Sequence, residues 1–119
     1  ISATRGEGFG LPLLEAAACK LPVVATNWSG HKDFLDLGDW LKVKKSLVSV
    51  PQSRIDGQIF VPGASWAPPD QKDFIKKINY LIKNEEKVRE QANLLGDRVA
   101  EKFSFAKIAK DYDRFMESL

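Results

Sequence analysis

EGFGLPLLEAAACKLPVVAT, Glu7 to Thr26, is the stretch on which the fold of this chain turns. A glycine-rich turn opens straight into a run with Pro12 near its start, and proline is tolerated in the first turn of a helix. Leu11 to about Leu21 reads as that helix, with Leu13, Leu14, Ala17, Ala18 and Leu21 on its apolar side. Pro22 breaks it, and Val23 to Thr26 is short, apolar and β-branched, as expected for a parallel strand covered on both faces. With Ser2-Ala3 as the end of a preceding strand, these pieces make a βαβ unit. The expected class is α/β: a partial, Rossmann-like parallel sheet, truncated at its N-terminal side.

The same turn carries chemistry. A helix N-terminus offers unpaired backbone N–H groups and a positive dipole end, which suits a phosphate. Glu7 and Glu15 flank that site and would repel a phosphate they met directly. They make sense if the ligand also carries neutral hydroxyls, because a carboxylate accepts two hydrogen bonds from a vicinal diol. A phosphate between diols describes a nucleotide-sugar, with ribose on one side and hexose on the other.

EGFGLPLLEAAACKLPVVATNWSG resembles the donor-binding stretch of retaining glycosyltransferases of the GT-B fold, in the large family 4 group, whose hallmark is two glutamates separated by seven residues. The stretch FVPGASWAPPDQKDF, Phe60 to Phe74, resembles a segment of a subset of those enzymes, and EKFSFAKIAKDY resembles their C-terminal helix. Lys20 departs from the pattern by standing where the family has glycine, so a mildly strained left-handed lysine is expected there. The resemblance implies that residues 1–119 are one partial domain, the C-terminal nucleotide-sugar-binding part of the enzyme. It implies that Glu15 binds ribose hydroxyls and that Glu7 is the catalytic carboxylate beside the donor sugar. Gly8 and Gly10 would allow close approach, and the backbone N–H groups of Phe9, Gly10 and Leu11 would face sugar and diphosphate. It further implies a UDP-, GDP- or ADP-sugar donor, retention of configuration, and no metal or other cofactor. An acceptor glycan, lipid or protein would bind a missing N-terminal domain, on the cytoplasmic side of the cell or of a membrane. The chain alone would be catalytically silent. A non-catalytic nucleotide-sugar or partner-binding module and a GT-B epimerase are the alternatives.

Outward from this core, Asn27 to Gly30 reads as a turn and His31 to Leu37 as a short helix stopped by Gly38. Trp40 to Val50 alternates like strand, Pro51 to Gly57 is loop, Gln58 to Val61 reads as a last strand, and Pro62 to Pro69 as loop. From Asp70 the chain is expected to be helical. Phe74, Ile75, Ile78, Leu81 and Ile82 make one stripe, and Val88, Ala92, Leu95 and Val99 a second. Ser104 can cap a third helix bearing Phe105, Ile108, Tyr112, Phe115 and Met116.

With 44% hydrophobic and 29% charged residues the composition is that of a globular domain. A net charge of +2 without an arginine stripe argues against nucleic acid as partner. One cysteine, Cys19, excludes an internal disulfide and reads as an inert buried thiol on a helix facing a sheet. Because the sequence opens on the tail of a strand, an unpaired sheet edge is expected, and with it a dimer of the isolated chain.

Other residues have plainer readings. Gly6, Gly8 and Gly10 are too tightly spaced for the dinucleotide fingerprint, and GEGFG lacks the flanking strands of a kinase loop. His31, near Ser29 and Asp33, reads as part of a helix cap rather than of a triad. Asp33, Asp36 and Asp39 lack the loop glycine of an EF-hand and read as solvated charges. Trp66 is either an exposed platform for a sugar or partner or the anchor of a docked loop.

Overall fold

A computed structural model describes residues 1–119. Helix α1, Leu11–Ala18, runs from the glycine turn into strand β1, Val24–Thr26. A short helix α2, Lys32–Leu35, leads to β2, Leu41–Val43, which pairs parallel to β1 with Val24 opposite Leu41 and Thr26 opposite Val43. On the other side of β1, Ser2 makes a parallel bridge to Ala25. The small parallel sheet therefore has its order Ser2, β1, β2, and each step is a crossover through a helix. The α/β class and the βαβ unit are as the sequence implies.

The helix ends earlier than its apolar pattern suggests, at Ala18, and Lys20 then turns with φ 60°, the left-handed backbone expected where the family has glycine. Its ammonium pairs with Asp97 at 2.7 Å. Leu13 and Ala17, one turn apart, are the buried positions; Ala18 and Leu21 are exposed. Cys19 is exposed too, contrary to expectation, because it lies just past the helix and well round its axis from Ala17. Ala17 meets α4, Glu85–Phe103, rather than only the sheet: a methyl on Gly96 would come 2.8 Å from the Ala17 carbonyl oxygen. The core joins Leu13 and Ala17 to Val23, Ala25, Phe34, Leu35, Trp40, Leu95 and Val99.

Residues 58–61 form no strand. The Asp56 carboxylate accepts the N–H groups of Gln58, Ile59 and Phe60, each at 2.9 Å, which winds this segment into a bend and removes its amides from any ladder. These bonds, that from Phe60 foremost, lower the Asp56 pKa. Strand pairing falls instead inside the expected proline-rich loop: β4, Ser65–Trp66, runs antiparallel to β3, Val48–Ser49.

Helix α3, Gln71–Lys83, starts where Asp70 accepts the Asp73 N–H at 2.7 Å, and α5, Phe105–Glu117, starts where Ser104 accepts that of Lys107 at 3.2 Å. The molecule is a slab of 47 × 45 × 16 Å with 20 of 119 residues buried. So thin a body cannot cover every apolar stripe. Val88, Ala92, Leu95 and Val99 of α4 are buried as expected, but Ile75 and Ile82 of α3 are exposed, and α5 buries none of its residues. No helix is long and apolar enough to cross a membrane.

Candidate functional site

The glycine turn lies at the carboxyl end of the parallel sheet, between the Ser2 bridge and α1, beside the turn that leaves β1. In open α/β sheets this edge is where ligands bind. Gly10 precedes α1 with φ 89°, so the helix begins on a residue with no side chain to cap it, and Pro12 follows in its first turn. The first turn holds no acidic side chain. The N–H groups of Gly8, Phe9, Gly10 and Leu11 donate to no acceptor of the protein. Four adjacent donors thus remain free at the positive end of a helix dipole.

Both glutamates border these donors. Glu7 is half-buried, and a methyl added at Gly10 would come 3.1 Å from its Cγ, so its side chain folds over the turn. Glu15 is exposed on α1, one helical turn after Leu11 and therefore on the same face. Gly8 is open: a methyl there would meet nothing within 4 Å. Phe9 is partly exposed, with its ring 5.4 Å from that of Phe34 and 6.2 Å from that of Phe103. Glu7, Gly8, Phe9, Leu11 and Glu15 thus adjoin the free donors, with Gly10 itself buried among them.

Trp66 is half-buried and close by. The Arg5 guanidinium lies 4.9 Å from its ring centroid, Phe60 meets its edge at 5.7 Å, and the Ala67 N–H donates to the Arg5 carbonyl at 2.8 Å. One ring face is thereby covered by a cation that sits two residues before Glu7. In the sequence the only signal of Arg5 is that adjacency.

His31 is no cap. Its ring is fully buried, edge-on to Trp40 at 5.8 Å, with Nε2 2.7 Å from the Thr26 carbonyl oxygen. That contact requires the proton on Nε2, and Nδ1 has no protein partner. The spacing His31, Phe34, Leu35 is the signal that could have placed it on the apolar face of α2. Asp36 is likewise more than a solvated charge. It accepts the Trp40 indole N–H at 2.9 Å and pairs with Lys42 at 2.8 Å and Lys32 at 3.1 Å. Desolvation pushes its carboxyl upward as the largest single influence, yet these donors together bring it down to about 2. No three His, Cys, Asp or Glu side chains gather into a metal-binding cluster.

With this geometry the family comparison has a place to land. The glycosyl transferases group 1 family matches residues 1–94, and the chain belongs to that family. The match spans the glycine turn, both parallel strands, α3 and half of α4. No curated protein and no solved structure gives a significant match.

Proposed function

We propose that this chain is the donor-binding part of a retaining glycosyltransferase that uses a UDP-, GDP- or ADP-sugar and needs no metal. What supports the reading is family membership together with one observation, the uncapped start of α1 with its free donors bracketed by Glu7 and Glu15. In this reading the N–H groups of Phe9, Gly10 and Leu11 take the diphosphate and the Glu15 carboxylate takes the ribose diol. As the glycosidic bond breaks, the nucleoside diphosphate gains negative charge. Preoriented N–H groups and a helix dipole stabilise that charge without reorganising. Glu7 lies beside the sugar as it becomes oxocarbenium-like, where a carboxylate positions it and offsets the developing positive charge. The acceptor, a glycan, lipid or protein, is held by a domain outside this chain.

Steady-state kinetics of the complete transferase test the two roles separately. Glu15→Gln replaces one acceptor oxygen by a donor, so the ribose diol loses its bidentate partner. Ribose does not react, so the loss is expected in the donor KM. Glu7→Gln is expected to lower kcat about 10²-fold, near 3 kcal/mol. A kcat within about threefold of wild type, under 1 kcal/mol, overturns the role of Glu7.

A further inference from the structure

We infer that Ser29, in the turn after β1, is the positioning residue for Glu7, acting through the Glu7 backbone; this deepens the reading of Glu7 given above and rests on it. The Ser29 hydroxyl donates to the Glu7 carbonyl at 2.6 Å and accepts the Glu7 N–H at 3.0 Å. One side-chain oxygen therefore holds both polar backbone groups of one residue 22 positions away in sequence. The next two residues, Gly30 and His31, continue the register. The Gly30 N–H donates to the same Glu7 carbonyl at 3.0 Å, and a methyl on Gly30 would lie 1.8 Å from the Gly8 carbonyl oxygen. Next along, the His31 Cβ would stand 3.0 Å from a methyl on Gly10. Ser29, Gly30 and His31 thus lie against Glu7, Gly8 and Gly10 in turn.

Ser29 does this at φ 83°, a left-handed backbone that serine adopts only at a cost. A turn that needed nothing but this conformation would be better served by glycine or asparagine. What glycine cannot supply is the hydroxyl. A carboxylate on a glycine-flanked turn has few contacts of its own to fix it, and small displacements of a reacting group are costly in rate. Ser29 removes that freedom at the backbone from which the Glu7 side chain springs.

Two substitutions separate the hydroxyl from the turn. Ser29→Ala keeps the strain and loses the hydroxyl; Ser29→Gly relieves the strain and also loses the hydroxyl, so a loss the two share belongs to the hydroxyl and not to the backbone conformation. The complete transferase is assayed by release of nucleoside diphosphate from UDP-glucose, GDP-mannose and ADP-glucose. Amide exchange at Glu7 and Gly30, whose N–H groups are the bonded ones in this contact, is followed by mass spectrometry in the same proteins. Both variants are expected to exchange about tenfold faster there. Both are expected to lose between about ten- and a hundredfold in kcat, with donor KM within about threefold. If Ser29→Gly keeps wild-type kcat while Glu7→Gln loses it, the positioning role is overturned. If exchange at Glu7 and Gly30 is unchanged in both variants, it is overturned as well. Should Glu7→Gln itself leave kcat unchanged, the reading of Glu7 falls and the effect of Ser29 on rate with it; faster exchange would then still support its hold on the Glu7 backbone.

Discussion

The turn from Gly6 to Gly10 and the loop from Asp56 to Gly63 both carry glycines with left-handed backbones, Gly10 at φ 89° in the first and Gly57 and Gly63 at φ 74° and 83° in the second. Their surroundings differ. The first turn is gripped from across the chain by Ser29, Gly30 and His31, at distances that leave no room for a methyl at Gly30. The second is held by bonds within a few residues of Asp56, and a methyl on Gly57 or Gly63 would meet nothing within 4 Å. Glycine in one place permits two backbones to touch and in the other only permits a bend. The first kind builds a surface whose shape is determined by the fold; the second closes a loop.

The sharpest break of this comparison is Gly30→Ala. A Cβ 1.8 Å from the Gly8 carbonyl oxygen overlaps backbone, which cannot swing aside as a side-chain tip would. Either the turn moves or the fold is strained, at about 3 kcal/mol or more. Thermal unfolding is expected to show a Tm lowered on the order of 10 °C. A variant with the wild-type Tm and an undisturbed turn would show that the two segments do not touch.

The counterpart is Gly57→Ala. Space is ample there, so the only cost is that of a left-handed alanine, about 1 kcal/mol. A loss as large as that of Gly30→Ala would mean that the second loop is also packed against something, and the contrast would fail.

What could be read in the sequence follows the same division. Local rules served well: the start of α1 beside Pro12, the left-handed Lys20, the onset of helix at Asp70 and the cap Ser104. Each depends on residues a few positions apart. Ser29 and Gly30 were legible only as part of a turn, because their partner Glu7 lies more than 20 residues upstream and no spacing rule reports a contact made by folding. His31 was legible in part, since Phe34 and Leu35 complete its apolar face. The segment from Gln58 to Val61 was misread because Ile59 and Val61 alternate like strand while Asp56, two residues before it, takes the amides. In α5 the stripe of Phe105, Ile108, Tyr112 and Phe115 was correctly seen as one face of a helix, and none of it is buried. Periodicity tells that a helix has an apolar face; whether that face is covered depends on what lies opposite.

The smallest expected effect concerns pH, and it separates the loops by what holds them. The Ser29 hydroxyl does not titrate in any accessible range, so the bonds at Glu7 depend on no proton at position 29. The second loop depends on an ionised carboxylate. Backbone N–H groups, that of Phe60 first, favour the charged form of Asp56 and hold its pKa below the ordinary value. A depressed carboxyl contributes stability that is present above its unfolded pKa, near 3.9, and is lost as pH falls through the lower folded value. Asp56 is wholly exposed to solvent, so the loss is local and leaves the Tm almost unmoved. Amide exchange, corrected for its intrinsic pH dependence, is expected to show Gln58, Ile59 and Phe60 losing protection below about pH 4, with Glu7 unchanged over the same interval. Asp56→Asn should abolish that pH dependence while leaving the glycine turn as it is. Loss of protection at Glu7 in step with Asp56 would couple the two loops and remove the distinction between a turn gripped from across the fold and one closed on itself.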